Sequence, residues 1–275
     1  MTNRRSILLG MLAAPLALRL AQAAPAVLRI GVAPHSSARV ILQMYQPLRD
    51  FLAERLGQPV EIVTAPDFTE FARRALAGNY DVAITTGHQA YLLQGDARFL
   101  PLLTYQADFK ALMVVAADSA YRQPADLAGT TVMGLSPSSL VTLWGTHWLH
   151  RNDVRNVQLR YVSASDSAVH QVLSREASAA TVSLANFQNL KPEMRERLRV
   201  LAESLPLVGR VYLLAPRLAR RRAEILDALW AFAATAEARA YFERYRLGGY
   251  RAIGDRELLE MAPYANEVRQ ALQER

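Results

Sequence analysis

Short aliphatic runs alternate with stretches of helical spacing along nearly the whole chain. This alternation restricts it to an α/β fold, because strands bounded so closely by helices are joined by crossovers and buried on both faces. Val27-Leu28-Arg29-Ile30-Gly31-Val32 predicts a buried strand, and Ser36 and Ser37 offer N-caps for a helix that Gly57 stops. In that helix Val40, Leu42, Tyr45, Leu48, Leu52 and Leu56 recur at near-helical spacing. Residues 59–63 predict a second strand, and Asp67 or Thr69 caps a helix ending at Gly78. Residues 80–84 predict a third strand, followed by a Thr85-Thr86-Gly87 loop and a helix over about 88–94.

A second alternation follows the apolar strand at residues 112–115. Residues 124–129 predict a loop and short helix, 131–135 a strand, 138–150 a helix and 157–162 a strand. A helix over 168–174, a strand at 179–182 and strands near 200–201 and 211–214 complete it. From residue 217 onward the pattern is helical, with one long helix expected over about 222–242. Two α/β units with a helical tail give a two-lobed α/β architecture, each lobe a mainly parallel sheet flanked by helices.

The first residues read as an address. Arg4 and Arg5 precede the apolar residues 7–18, and Ala21-Gln22-Ala23 supplies the small residues that a signal peptidase requires. That apolar stretch is shorter than the roughly 20 residues a membrane span needs, and no second hydrophobic span follows. Residues 1–23 are therefore expected to be a signal peptide, exported by the Sec or the twin-arginine route, the latter suggested by Asn3-Arg4-Arg5-Ser6. The mature chain is expected to be soluble in the periplasm and monomeric.

Cysteine is absent, which excludes disulfides, thiolate metal sites and a catalytic thiol. The formal charge of +7 arises from 32 basic against 25 acidic residues, nearly all the basic ones arginine. No aromatic-interleaved basic face accompanies it, so nucleic acid is not an expected partner. The four arginines within residues 217–222 read most simply as a solvated helix start. His147 and His150 share a helix face but have no third ligand at a convincing spacing, so no metal is expected. No nucleophile elbow, Walker loop or dinucleotide fingerprint occurs. No cofactor is expected, and the chain is not read as an enzyme.

The order of motifs carries a resemblance. Gly31-Val32-Ala33-Pro34 leads a helix with Tyr45-x-Pro47-Leu48-x-x-Phe51-Leu52, followed by Ala65-Pro66-Asp67-Phe68, Gly78-x-x-Asp81-Val82-Ala83, Asp118-Ser119 and Asp126-Leu127-x-Gly129. Over about residues 28–250 this resembles the phosphate/phosphite/phosphonate substrate-binding proteins of ABC transporters, in the type II periplasmic-binding-protein superfamily. The resemblance implies one lobe of residues 27–110 plus 215–275 and a second of residues 111–214. It implies a two-segment hinge near 111–116 and 211–215, closing on a small anionic ligand destined for an inner-membrane ABC permease. A sensory module reporting its ligand state to a membrane kinase is the alternative, and the sequence does not separate the two.

Elementary physics points to the same loops. In open parallel sheets, ligands lie at the carboxyl ends of strands, where helix N-termini converge and free amides favour an oxyanion. The loops 34–37, 66–69, 85–88 and 136–139 are all rich in Ser or Thr. Each singly fits an ordinary N-cap as well; together they point to a site. The candidate ligand-binding residues are Pro34, His35, Ser36, Phe68, Thr86, His88, Ser138, Ser139, Ser165 and Arg210. The resemblance puts Phe68 where the family usually has Tyr, and its Ser-Thr-Ser-Gly helix start falls on Ser138-Ser139-Leu140-Val141. A family His falls on Ser165, a family Asp near Arg210, and another Asp on Ser178. Arg210 would suit a carboxylate, sulfonate or phosphorus oxyanion equally.

Overall fold

The strands form where β-branched and aliphatic residues run together, and the helices where a polar cap meets 3.6-residue spacing. The computed structural model describes residues 26–273; the leader expected over residues 1–23 lies outside them. Strand β1 (Leu28–Val32) leads through α1 (Ala38–Leu56) to β2 (Val60–Val63), then through α2 (Phe68–Leu76) to β3 (Val82–Thr86). Helix α3 (Gly87–Ala97) follows directly, then β4 (Leu100–Tyr105). The chain crosses to a second sheet with β5 (Ala111–Ala116), β6 (Thr131–Gly134), α4 (Leu140–Arg151), β7 (Gln158–Tyr161) and α5 (Ser165–Leu173). Strand β8 (Ala179–Ser183), α6 (Leu184–Gln188), α7 (Pro192–Arg195) and β9 (Leu198–Glu203) finish that lobe. The chain then returns as β10 (Arg210–Leu214), followed by α8 (Arg222–Ala233), α9 (Ala236–Arg244), β11 (Tyr250–Arg251), α10 (Asp255–Leu259) and α11 (Ala262–Gln273).

The two sheets have the orders β11-β4-β10-β3-β1-β2 and β7-β6-β8-β5-β9. The expected parallel units are present: β1 lies between β2 and β3, and β6 between β7 and β8. Each sheet also accepts the strand arriving from the other lobe, and that strand is antiparallel: β10 between β3 and β4, β5 between β8 and β9. The sheets are therefore mixed. The segments that the resemblance assigns to the hinge are inner strands, and β5 is buried throughout. The chain passes between the sheets at residues 106–110 and 204–209, where Phe109 and Leu207 form a lone antiparallel bridge.

Caps and breaks explain most boundaries. Ser37 accepts from the Val40 amide at the start of α1, Asp67 from the Glu70 amide at 2.8 Å, and Gly57 ends α1 in the left-handed region. The single long helix expected over 222–242 is two helices. Thr235 separates them: its hydroxyl donates to the Phe232 carbonyl and accepts from the Ala238 amide at 3.0 Å, capping α9. Strand β4 was not anticipated, and Pro101 within its sequence obscures the pattern. Gly87 is the tightest joint near the cleft: its amide donates to the Val208 carbonyl, and a Cβ there would lie 2.4 Å from Val208 Cβ. Only glycine lets the β3–α3 corner pack on the returning crossover. The tail closes over the molecule, with α11 packed on α3, α2 and α4. None of the described helices is long and apolar enough to cross a membrane.

Candidate functional site

The carboxyl ends of β1, β3, β6 and β8 meet between the sheets, and the helices that follow begin there. A cavity of about 30 Å³ lies at this junction. His35, Phe68 and Thr86 line it from the first lobe, Phe109 from the crossover, and Leu135, Ser139, Leu140, Val141, Ser183 and Asn186 from the second. A groove of about 510 Å³ on the outer face of α1, floored by Phe51 and Phe232, is larger but belongs to one lobe only. The small cavity is the place where both lobes contribute polar groups.

Ser139 caps α4. Its Oγ accepts from the Thr142 amide at 3.3 Å and shares a 2.7 Å hydrogen bond with Thr142 Oγ1, which in turn accepts from the Leu135 amide. The next amides, of Leu140 and Val141, have no acceptor within the helix. They and the α4 dipole favour negative charge at the cavity wall. Ser183 caps α6 in the same manner, accepting from the Asn186 amide at 3.2 Å. Asn186 Nδ2 donates to Ser165 Oγ at 2.7 Å and reaches across the cleft to the His35 carbonyl at 3.3 Å.

Two histidines, His88 buried and His35 half-buried, frame the first-lobe side. His88 Nε2 donates to the Ser138 carbonyl at 3.0 Å, an interlobe bond, so its Nδ1 accepts from Thr86 Oγ1 at 3.1 Å. Burial holds its pKa down at about 4. His35 Nδ1 donates to the Ala33 carbonyl at 2.9 Å, leaving Nε2 to accept from Arg210 Nη1 at 3.0 Å. Burial first, and then the Arg210 charge, depress its pKa to about 3. Both rings are neutral at pH 7.

Arg210 stands behind His35. Its Nη1 also donates to Tyr45 Oη at 3.3 Å, and its guanidinium lies 5.2 Å from the centroid of the Tyr105 ring. None of the ion pairs among the described residues includes it. The surrounding tyrosine hydroxyls bond one another, Tyr105 to Tyr241 at 2.5 Å and to Tyr212 at 2.7 Å, and Tyr212 to Tyr250 at 2.9 Å. The site thus has a half-buried cation with no carboxylate partner one imidazole ring away from the cavity.

Of the residues singled out in the sequence, His35, Phe68, Thr86 and Ser139 line the cavity. Ser138 and His88 join the lobes beside it, Ser138 Oγ also meeting Thr69 Oγ1 across the cleft at 2.7 Å. Ser165 is buried behind Asn186, and Arg210 behind His35. Pro34 is buried at the end of β1 and Ser36 is half-buried before α1; neither lines the cavity. Ser183, Asn186 and Phe109 were missed. Ser183 follows the rule that found the others, a Ser closing an apolar strand before a helix, but α6 is too short for a periodic signal, and Asn186 lies inside it. Phe109 comes to the site through the crossover, which leaves no local signature. His147 and His150 lie elsewhere: His147 bonds Glu267 and stacks on Tyr264 of α11.

The family model for the periplasmic substrate-binding protein of phosphonate ABC transporters matches residues 30–258. Solved structures share the fold. A binding-protein component of an ABC phosphonate transporter from Pseudomonas aeruginosa superposes with a TM-score of 0.77 at 17% identity, covering 90% of this chain and 89% of that one. PhnD1 from Prochlorococcus marinus in complex with methylphosphonate gives 0.76 at 11% identity, covering 89% and 98%. A Xanthomonas citri protein bound to ATP gives 0.74 at 20% identity, covering 89% and 98%. No curated protein matches the sequence.

Proposed function

Since the chain belongs to the family of periplasmic substrate-binding proteins of phosphonate ABC transporters, we propose that it captures a small phosphorus oxyanion in the interlobe cavity and delivers it to an inner-membrane permease. The observation that carries this reading is the α4 start. Ser139, 1% exposed, caps a helix whose first free amides adjoin a cavity walled by the opposite lobe. An oxyanion there would accept from the Leu140 and Val141 amides and the Ser139 and Thr86 hydroxyls. It would also feel the Arg210 charge through the neutral His35 ring. Such charge-assisted bonds in a closed site are stronger than neutral ones.

In this reading residues 1–23 are a cleaved export leader, residues 27–110 plus 215–275 form one lobe, and residues 111–214 the other. Closure brings Ser138 onto Thr69 and His88, and Asn186 onto the His35 carbonyl. These interlobe bonds are the contacts through which a ligand shifts the hinge equilibrium, since it stabilises only the closed arrangement. Nothing in the fold or the family match points to the sensory alternative.

A thermal-shift screen tests the proposal. Phosphate, phosphite and methylphosphonate are expected to raise the melting temperature, and a ligand at a hundred times its Kd adds about 2.7 kcal/mol. Stabilisation by carboxylates or neutral solutes alone would overturn it.

A further inference from the structure

We infer that the cavity selects an oxyanion whose substituent is short and uncharged, and that it rejects ligands carrying an ammonium group. This rests on the function proposed above and concerns the end of the ligand that faces away from the α4 amides. Outside α4 the apolar lining is Phe68 and Phe109, with Leu135 beside the start of the helix. Among the described residues, no Asp or Glu lines the cavity.

The cavity lining offers an ammonium only neutral acceptors, such as the Thr86 and Ser139 hydroxyls and the Asn186 amide oxygen, and no carboxylate. The His35 ring is an acceptor only at Nε2, and that lone pair accepts a hydrogen bond from Arg210 Nη1. The His35 carbonyl already accepts from Asn186, and the Ser138 carbonyl from His88, each through one of its two lone pairs. The Arg210 guanidinium stands behind His35 and repels a second cation across a single imidazole ring. An ammonium drawn out of water into this setting gains no carboxylate to offset its desolvation. A methyl group gains contact with the two phenylalanine rings instead. The volume of about 30 Å³ acts in the same direction, since one water in such a measure takes about 10–15 Å³ and the space therefore suits a ligand of few atoms.

Titration calorimetry of the purified protein at pH 7.5 tests this with methylphosphonate, ethylphosphonate and 2-aminoethylphosphonate. Ethylphosphonate isolates size, because it nearly matches the amino compound in length and lacks its charge. Methylphosphonate is expected to bind tightest, and ethylphosphonate at least about 10-fold more tightly than 2-aminoethylphosphonate. Equal affinity for ethylphosphonate and 2-aminoethylphosphonate, or preference for the latter, overturns the inference and leaves the proposed function standing. Binding of none of the three overturns the inference, and it overturns the proposed function as well if phosphate and phosphite also fail to bind. In Arg210→Met, with folding checked by circular dichroism, the gap between the two longer ligands should narrow severalfold. An unchanged gap would remove Arg210 from the selectivity.

Discussion

Acidification from pH 7 to pH 4.5 is expected to remove several kcal/mol of stability, with His35 and His88 as the cause. Both are neutral in the folded protein, with pKa values of about 3 and about 4, against about 6.5 in an unfolded chain. Below pH 6.5 the unfolded chain binds protons that the folded one refuses. The stability each ring contributes is therefore full above pH 6.5 and falls as the pH drops. The loss ends only near pH 4 for His88 and pH 3 for His35. The slope is about 1.4 kcal/mol per pH unit for each fully titrating ring, so the pair costs at most about 5 kcal/mol between pH 6.5 and 4.5. Carboxylates held low by arginine neighbours, such as Glu70 and Glu224, lose their stabilisation at lower pH and leave this window to the histidines. Urea midpoints between pH 7.5 and 4.5 should fall steeply, and in His88→Leu the fall should be about half as steep. A flat profile would show that the two rings are not held neutral as described.

The second large effect is on binding. Ser139→Asp is expected to abolish oxyanion affinity, by a factor of about 100 or more, while leaving the fold intact. Aspartate is as good an N-cap as serine, and its carboxylate favours the start of α4. The helix therefore keeps its cap. The same carboxylate faces the cavity at the place where the ligand's own charge would sit. Two like charges about 4 Å apart at an effective dielectric of 20 repel by about 4 kcal/mol. Calorimetry against methylphosphonate, paired with a thermal melt of the unliganded variant, separates the two effects. Undiminished affinity would move the ligand away from α4. A collapsed melting temperature would mean that Ser139 serves packing before binding.

The legible part of this molecule was what local chemistry fixes. The β1–α1–β2–α2–β3–α3 alternation follows from caps at Ser37 and Asp67 and from aliphatic runs. The cap positions Thr86 and Ser139 also exposed part of the cavity, because a Ser or Thr between a strand and a helix stands at the carboxyl edge of a parallel sheet. Long-range placement was not legible. Strand β4 and the antiparallel insertion of β10 depend on which sheet a distant segment joins, and no local spacing encodes that choice. Arg210 shows the same limit. Its type suggested a direct anion contact, but register places it on the face of β10 that carries Tyr212, where it supports His35. Asn186 became visible only once α6 was set opposite His35.

The most direct test of the central claim is a crystal structure of the protein grown with methylphosphonate. The account predicts phosphonate oxygens about 2.7–3.2 Å from the Leu140 and Val141 amides, between Ser139 and Thr86, with the methyl group on Phe68 and Phe109. A ligand in the outer groove beside Phe51 and Phe232, or in the cleft with its oxygens turned away from α4, would contradict it.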